Sequence, residues 1–352
     1  MEANNLADEF VRWHRLLFLG MTDAHTTSRM RHVVGLALLL ALTAPGATGA
    51  QPEGVPSSVR VERLSDGPII RPHMDRAMGS NIAGPSLIRV PDWIPNPLGR
   101  YYLYFADHRG TYIRLAYADA LTGPWTMHEP GSLHLQHSHF VTEPPESGRY
   151  VHIASPDVHV REDRREIVMY IHGQDTDGQV TRVSASTDGL HFEARQEILG
   201  RPYFRVFPHG GYYHALAMPG LMYRSVDGLT NFESGPRLFN DDMRHSAVLV
   251  RNGVLYVFWT QAKHAPERVL LSTVELTDDW MTWRDTKAIE VLRPEREWEG
   301  AQLPVEPSRR GSIEEPVNQL RDPAIYEEDG HVYLLYAVAG EHGIGIAEIH
   351  FP

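Results

Sequence analysis

The residues in this sequence that could do chemistry are carboxylates, imidazoles and guanidiniums scattered far apart along 352 positions. Asp322 stands between Arg321 and Pro323, and the neighbouring guanidinium would keep it ionised as a base or as an acceptor for a substrate hydroxyl. Capping a backbone turn is its alternative role. Glu314-Glu315-Pro316 lies just upstream, in a segment that could lower a proton donor toward Asp322 or simply stay solvated. His245 is either an imidazole acting near neutral pH or a hydrogen-bonded core residue. Arg205, Arg321 and His108, with Arg109 beside the last, suit an anionic group. His134, His137 and His139 form a His-x-x-His-x-His cluster whose spacing admits a metal, but a surface loop is the expected setting and no metal site is assigned. None of these groups is adjacent in sequence to all its partners, so function requires a fold that gathers distant segments.

Composition narrows the possibilities. Lys and Arg total 33 against 45 Asp and Glu, a formal charge of -12 with no long basic run, so nucleic acid is not an expected partner. Only Lys263 and Lys287 are lysines; the other cations are planar guanidiniums. Cysteine is absent, which excludes a disulfide framework, a thiol nucleophile and cysteine-ligated zinc. No cofactor is expected, although an ion could plug a central channel.

After Gln51, short runs rich in Val, Ile, Tyr and Phe alternate with Gly, Pro, Asp and Asn turns, the pattern of an all-β chain. The runs recur in five groups of about four strands. The first spans Pro85-Ser86-Leu87-Ile88, Tyr101-Tyr102-Leu103-Tyr104-Phe105 and Ile113-Arg114-Leu115-Ala116-Tyr117, and closes on Trp125. The second and third begin near Pro156 and Tyr203 and contain close copies of one turn, Ser186-Thr187-Asp188-Gly189-Leu190 and Ser225-Val226-Asp227-Gly228-Leu229. The fourth and fifth begin near Ala247 and Pro323. Five such units predict one domain over residues 51–352, a five-bladed β-propeller, with Val59-Arg60-Val61-Glu62-Arg63 available to close the last blade. Pro-rich, charged segments at 129–151 and 286–318 interrupt the period as expected insertions.

In a propeller the first residues of each innermost strand meet at one mouth of the axial channel. Here those are Asn81 to Pro85, Ser155 to Asp157, Tyr203 to Arg205, Arg244 to Ser246 and Arg321 to Pro323. Blade openings such as Asp322-Pro323-Ala324-Ile325 and Ser155-Pro156-Asp157-Val158 resemble the arabinanase/xylosidase superfamily of five-bladed propellers, glycoside hydrolase family 43, with its invertase-like and anhydrogalactosidase-like relatives. The resemblance implies carbohydrate chemistry and an acidic triad opening the first three blades. At those places this chain has Gly84, then Ser155-Pro156 with Asp157 one residue on, then Arg205, so any acid/base set is rearranged. The expected catalytic residues are therefore Asp322, His245, Glu315 and Asp157, with His245 in the acid role that the anhydrogalactosidase-like resemblance implies. The expected substrate-binding residues are Asn81, His108, Arg109, His139, Arg205 and Arg321.

Met30-Arg31-His32, the apolar run 33–42 and the small residues up to Ala50 read as a signal peptide cut near Ala50, too short for a stable membrane span. Residues 1–29 then read as an upstream extension of a misplaced start, and the mature protein as exported. Three functions remain open: a glycosidase on plant or algal oligo- or polysaccharide, a polysaccharide lyase on uronates, and a sugar-binding propeller without catalysis. Nothing in the sequence sets an oligomeric state.

Overall fold

The computed structural model describes residue 56 and residues 58–146 and 148–352. The expected signal peptide and the segment upstream of it lie outside these residues. Among the described residues, twenty strands form five four-stranded antiparallel sheets. Blade 1 comprises β2 (Ala83–Arg89), β3 (Tyr101–Ala106), β4 (Tyr112–Ala118) and β5 (Thr126–His134); blade 2 comprises β6 (Ile153–Arg161), β7 (Glu166–Asp175), β8 (Gly178–Ser186) and β9 (Glu193–Ala194). Blade 3 holds β10 (Arg205–His209), β11 (Tyr212–Ala217), β12 (Leu221–Ser225) and β13 (Glu233–Arg237), and blade 4 holds β14 (Met243–Arg251), β15 (Val254–Gln261), β16 (Val269–Glu275) and β17 (Ile289–Leu292). Blade 5 is made of β18 (Arg321–Glu328), β19 (His331–Ala337) and β20 (Ile344–His350), and β1 (Arg60–Arg63) completes it by pairing with β20 in the register Arg60 to His350. The ring is thus closed by joining the two ends of the propeller domain, with β1 covering the outer edge of β20.

The apolar runs are continuous rather than alternating because both faces of each sheet are covered. Along β3, Tyr102 and Tyr104 pack with blade 2, whereas Tyr101, Leu103 and Phe105 pack with blade 5. Five hydrophobic clusters fill the five gaps between neighbouring blades. The copied turns serve these gaps. In each, the Ser hydroxyl accepts the Gly N–H and the Asp carboxylate accepts the Leu N–H, at 2.9 and 2.7 Å in the first turn and 3.2 and 2.8 Å in the second. Gly189 and Gly228 both take φ of 73°, a conformation that favours glycine. Their carbonyls then accept phenol bonds from the preceding blade, Tyr104 to Gly189 at 2.8 Å and Tyr170 to Gly228 at 2.6 Å. Tyr104→Phe is expected to destabilise the protein by about 1–2 kcal/mol, read from the urea midpoint, because a buried carbonyl loses its donor.

Three boundaries differ from expectation. Residues 129–134 of segment 129–151 continue the outer strand β5, and segment 286–318 carries the outer strand β17 near its start, so both hold part or all of the fourth strand of a blade before they become loops. The first strand of blade 3 begins at Arg205 rather than Tyr203, which leaves Tyr203 in the loop leading into it.

Candidate active site

The five innermost strands, β2, β6, β10, β14 and β18, enter at the same mouth of the channel, and the backbone is bent where they enter. Ladder register slips between Ala83 and Ser86, Ala154 and Asp157, Met243 and Ser246, and Arg321 and Ala324. Pro85, Pro156 and Pro323 sit inside three of these bulges, where a missing N–H removes no ladder bond. The residue before each proline has positive φ, 63° at Gly84, 49° at Ser155 and 45° at Asp322, and Tyr203 in blade 3 has φ of 72°. For Ser, Asp and Tyr such backbone costs about 1–3 kcal/mol each, and strain of this kind gathers at functional sites.

These bends surround a cavity of about 220 Å³. Asp322, 2% exposed, lies in its wall. Its Oδ1 accepts a short hydrogen bond from the Tyr203 phenol, while its Oδ2 has no partner among the described protein atoms. The Asp322 N–H donates to His245 Nδ1 at 3.3 Å, so that nitrogen is an acceptor and the ring proton belongs on Nε2. The 3.5 Å approach of Nδ1 to Asp322 Oδ1 is therefore not an ion pair. Tyr203 stacks on His245 at 5.0 Å between centroids and carries the Arg205 guanidinium 4.5 Å over its ring. Burial, and then the nearby Glu341 carboxylate, push the Asp322 carboxyl above its ordinary acidity value, against the pull of Tyr203, Arg244 and His108. Burial, then Arg244 and Arg321, hold His245 well below the usual imidazole range. His172, in the same wall, is likewise held low by burial and by His152, and its Nδ1 has no partner. The site thus combines a carboxyl biased toward its acid form with neutral imidazoles.

A buried polar layer backs the wall. Glu341, wholly buried, binds Arg321 at 2.9 Å, His108 Nδ1 at 3.1 Å and the Asn81 amide at 2.8 Å. Despite the cost of burial, these partners, with the His108 hydrogen bond largest, hold its acidity value down to about 2. Glu267 is shared between Arg244 at 3.0 Å and Arg321 at 3.6 Å. Asn81 also accepts the His108 N–H at 2.8 Å, and so fixes the loop that carries His108 to the cavity.

Of the expected site residues, Asp322, His245 and His108 line the cavity, and Asn81 and Arg321 stand directly behind it. Arg109 is exposed and stacks 5.1 Å over Tyr150, a cavity residue. Asp157 and Arg205 line a second, deeper void of about 110 Å³ bounded by all five innermost strands. There Asp157 accepts His159 Nε2 at 2.8 Å and the Val206 N–H at 2.8 Å, which ties β6 to β10. Glu315 is exposed and does not line the cavity; the same segment instead brings Arg310 and Gly311 to it. His139 is exposed beside Ala194, and His134 and His137 have separate partners in Pro130 and Gln136. Tyr203, His172, Arg244, Arg310 and Glu341 were not singled out by residue type. Tyr203 stood within a blade opening, whereas the lone Glu between Gly340 and His342 gave no comparable signal.

Gly84 is closed to the acid that family 43 would place there. A Cβ at this position would lie 2.8 Å from the Ser155 Cα, on a backbone of positive φ. Gly84→Asp is expected to cost stability, about 1–3 kcal/mol from backbone strain alone, and to leave turnover no higher than in the unsubstituted protein, as checked by denaturation and product assay.

Fold and cavity together define a five-bladed propeller of the architecture found in glycoside hydrolases. Its fold is similar to a glycosyl hydrolase from Bacteroides ovatus (TM-score 0.59, 12% identity, 84% of this chain and 94% of the other). It is similar also to a structure from the GH130 family of mannoside phosphorylases (TM-score 0.58, 11% identity, 86% and 96%) and to CoXyl43, a GH43 β-xylosidase/α-arabinofuranosidase from a compost metagenome (0.53, 13%, 80% and 94%). No protein-family model matches the sequence. In sequence the chain is 35% identical over 297 residues to uncharacterized protein R118 of Acanthamoeba polyphaga mimivirus, covering 76% of this chain and 83% of that protein, and it belongs to the family of that protein.

Proposed function

We propose that this protein is an exported glycosidase that removes single terminal sugars from an oligo- or polysaccharide in the cavity above Asp322. The observation that carries this reading is the buried Asp322 carboxyl, held by Tyr203 on one oxygen and unpartnered on the other. Protonated on Oδ2, it would deliver that proton to the leaving glycosidic oxygen as the C–O bond breaks. Water would add to the anomeric carbon, its proton passing to the neutral His172 imidazole and returning to Asp322 through solvent. Tyr203 keeps the carboxyl oriented, and the Nε2–H of His245 is a donor for a sugar hydroxyl. A cavity of about 220 Å³ suits one ring rather than a chain, which supports action at an end. The charged, apolar and small-residue order of 30–50 supports export.

Elimination is the second reading, favoured by neutral imidazoles beside Arg244 and Arg310 and by the absence of a carboxyl at Gly84. Incubation with plant and algal oligosaccharides, neutral and acidic, separates the two. Hydrolysis gives new reducing ends without ultraviolet absorbance, the expected result. Absorbing products would replace hydrolysis with elimination, and no products across the panel would leave a sugar-binding propeller.

A further inference from the structure

The cationic side of the cavity has no role in proton delivery. Arg244 projects from β14 with 2% exposure, and Arg310 reaches the rim from segment 286–318; both line the cavity. Arg244 Nη1 is engaged by Glu267 at 3.0 Å and the Arg309 carbonyl at 2.8 Å, but Nη2 has only the Gly311 carbonyl at 3.4 Å. Arg310 gives Nη2 to the carbonyls of Met243 at 3.0 Å and Asp241 at 2.5 Å and Nη1 to the Met218 sulfur at 3.5 Å; among the described residues it makes no ion pair, and the nearby acids Asp241 and Asp242 are paired with Arg237 and Lys263. Three guanidiniums, Arg244, Arg310 and Arg321, therefore face two carboxylates, Glu267 and Glu341. Asp322 would balance the count when ionised, yet it must be neutral to deliver a proton. In the state competent to act, the wall carries one cation too many. A neutral ring seated there would take water from two guanidiniums and return nothing to their charge.

We infer that the funnel selects a sugar bearing a carboxylate, a uronate or related sugar acid, whose acid group is received by Arg244 and Arg310. This rests on the glycosidase reading for the position of the ring. Planar guanidiniums match a carboxylate through paired N–H bonds, a geometry that lysine does not reproduce. The unpartnered Asp322 Oδ2 and His172 Nδ1, both more than nine-tenths buried, remain for the uncharged part of the ring.

The test is equilibrium binding to the intact protein of glucuronate and galacturonate against glucose and galactose, with inorganic phosphate as a separate arm. The acids are expected to bind about tenfold or more tighter than their neutral parents, and Arg310→Gln to reduce that preference to about twofold. Equal affinity for acids and neutral sugars overturns the inference and needs no variant to be read, as does an acid preference that survives in Arg310→Gln. Phosphate that binds and is not displaced by uronate overturns it in favour of a free anion. Binding is read without turnover, so acids that bind while their glycosides stay intact would sink the glycosidase reading and leave this one standing. Cleavage of neutral glycosides with no preference for acids would do the reverse.

Discussion

Asp322→Asn is expected to lower turnover by about 10²–10⁴-fold, the usual share of a positioned general acid, while the protein keeps its fold. Asn has nearly the same volume, and its carbonyl can still accept the Tyr203 phenol, so the strained bend at φ 45° keeps its main tether. What is lost is the proton on Oδ2. The burial that raises the Asp322 acidity value then works in the variant's favour, because a neutral amide in that wall has no ionised form to desolvate. A melting temperature equal to or above that of the parent, with turnover gone, is the combined outcome expected. Full turnover in a folded Asp322→Asn protein would remove Asp322 from the chemistry.

The largest loss of stability is expected at Glu341. Replacing it with Gln leaves Arg321 without its closest carboxylate in a wholly buried layer, and breaking such a pair from one side costs about 3–5 kcal/mol. The effect also has a pH signature. In the fold the Glu341 acidity value lies at about 2, whereas an unfolded glutamate titrates near ~4.3. A depressed value means that the ionised group stabilises the fold fully above the unfolded value, and that this contribution is lost as pH falls from there toward about 2. Urea midpoints measured from pH 6 down to pH 2 should fall more steeply for the parent than for Glu341→Gln over the lower part of that window. Parallel curves would mean that Glu341 titrates as it does unfolded and that its bonds to Arg321 and His108 add nothing.

The sequence showed the blades because their causes are local. Continuous runs such as 101–105 reflect sheets covered on both faces, and the two Ser-x-Asp-Gly-Leu turns reflect hydrogen bonds that each turn makes within itself. The blade openings were legible for the same reason, since an x-Pro step marks where the innermost strand bulges. Which side chains then reach the cavity was harder to read. A bulge shifts register by one residue, so Ser155 faces the cavity while Asp157, two positions on, lines the deeper void. In blade 3, whose innermost ladder keeps its register, Tyr203 lies in the loop before the strand, and it, not Arg205, stands beside Asp322. Glu341 and Arg310 could not be read at all, because the partners of Glu341 (Asn81, His108 and Arg321) and those of Arg310 (the Asp241 and Met243 carbonyls) come from other strands and loops and only the closed ring brings them together.

Cleavage of a sugar in the cavity over Asp322 can be seen in a structure of Asp322→Asn with an uncleaved oligosaccharide from the product screen. The terminal ring is expected inside the cavity, with its glycosidic oxygen within about 2.6–3.2 Å of the side chain at position 322. A sugar bound elsewhere on the propeller, or one in the cavity whose glycosidic oxygen points away from that side chain, would contradict it.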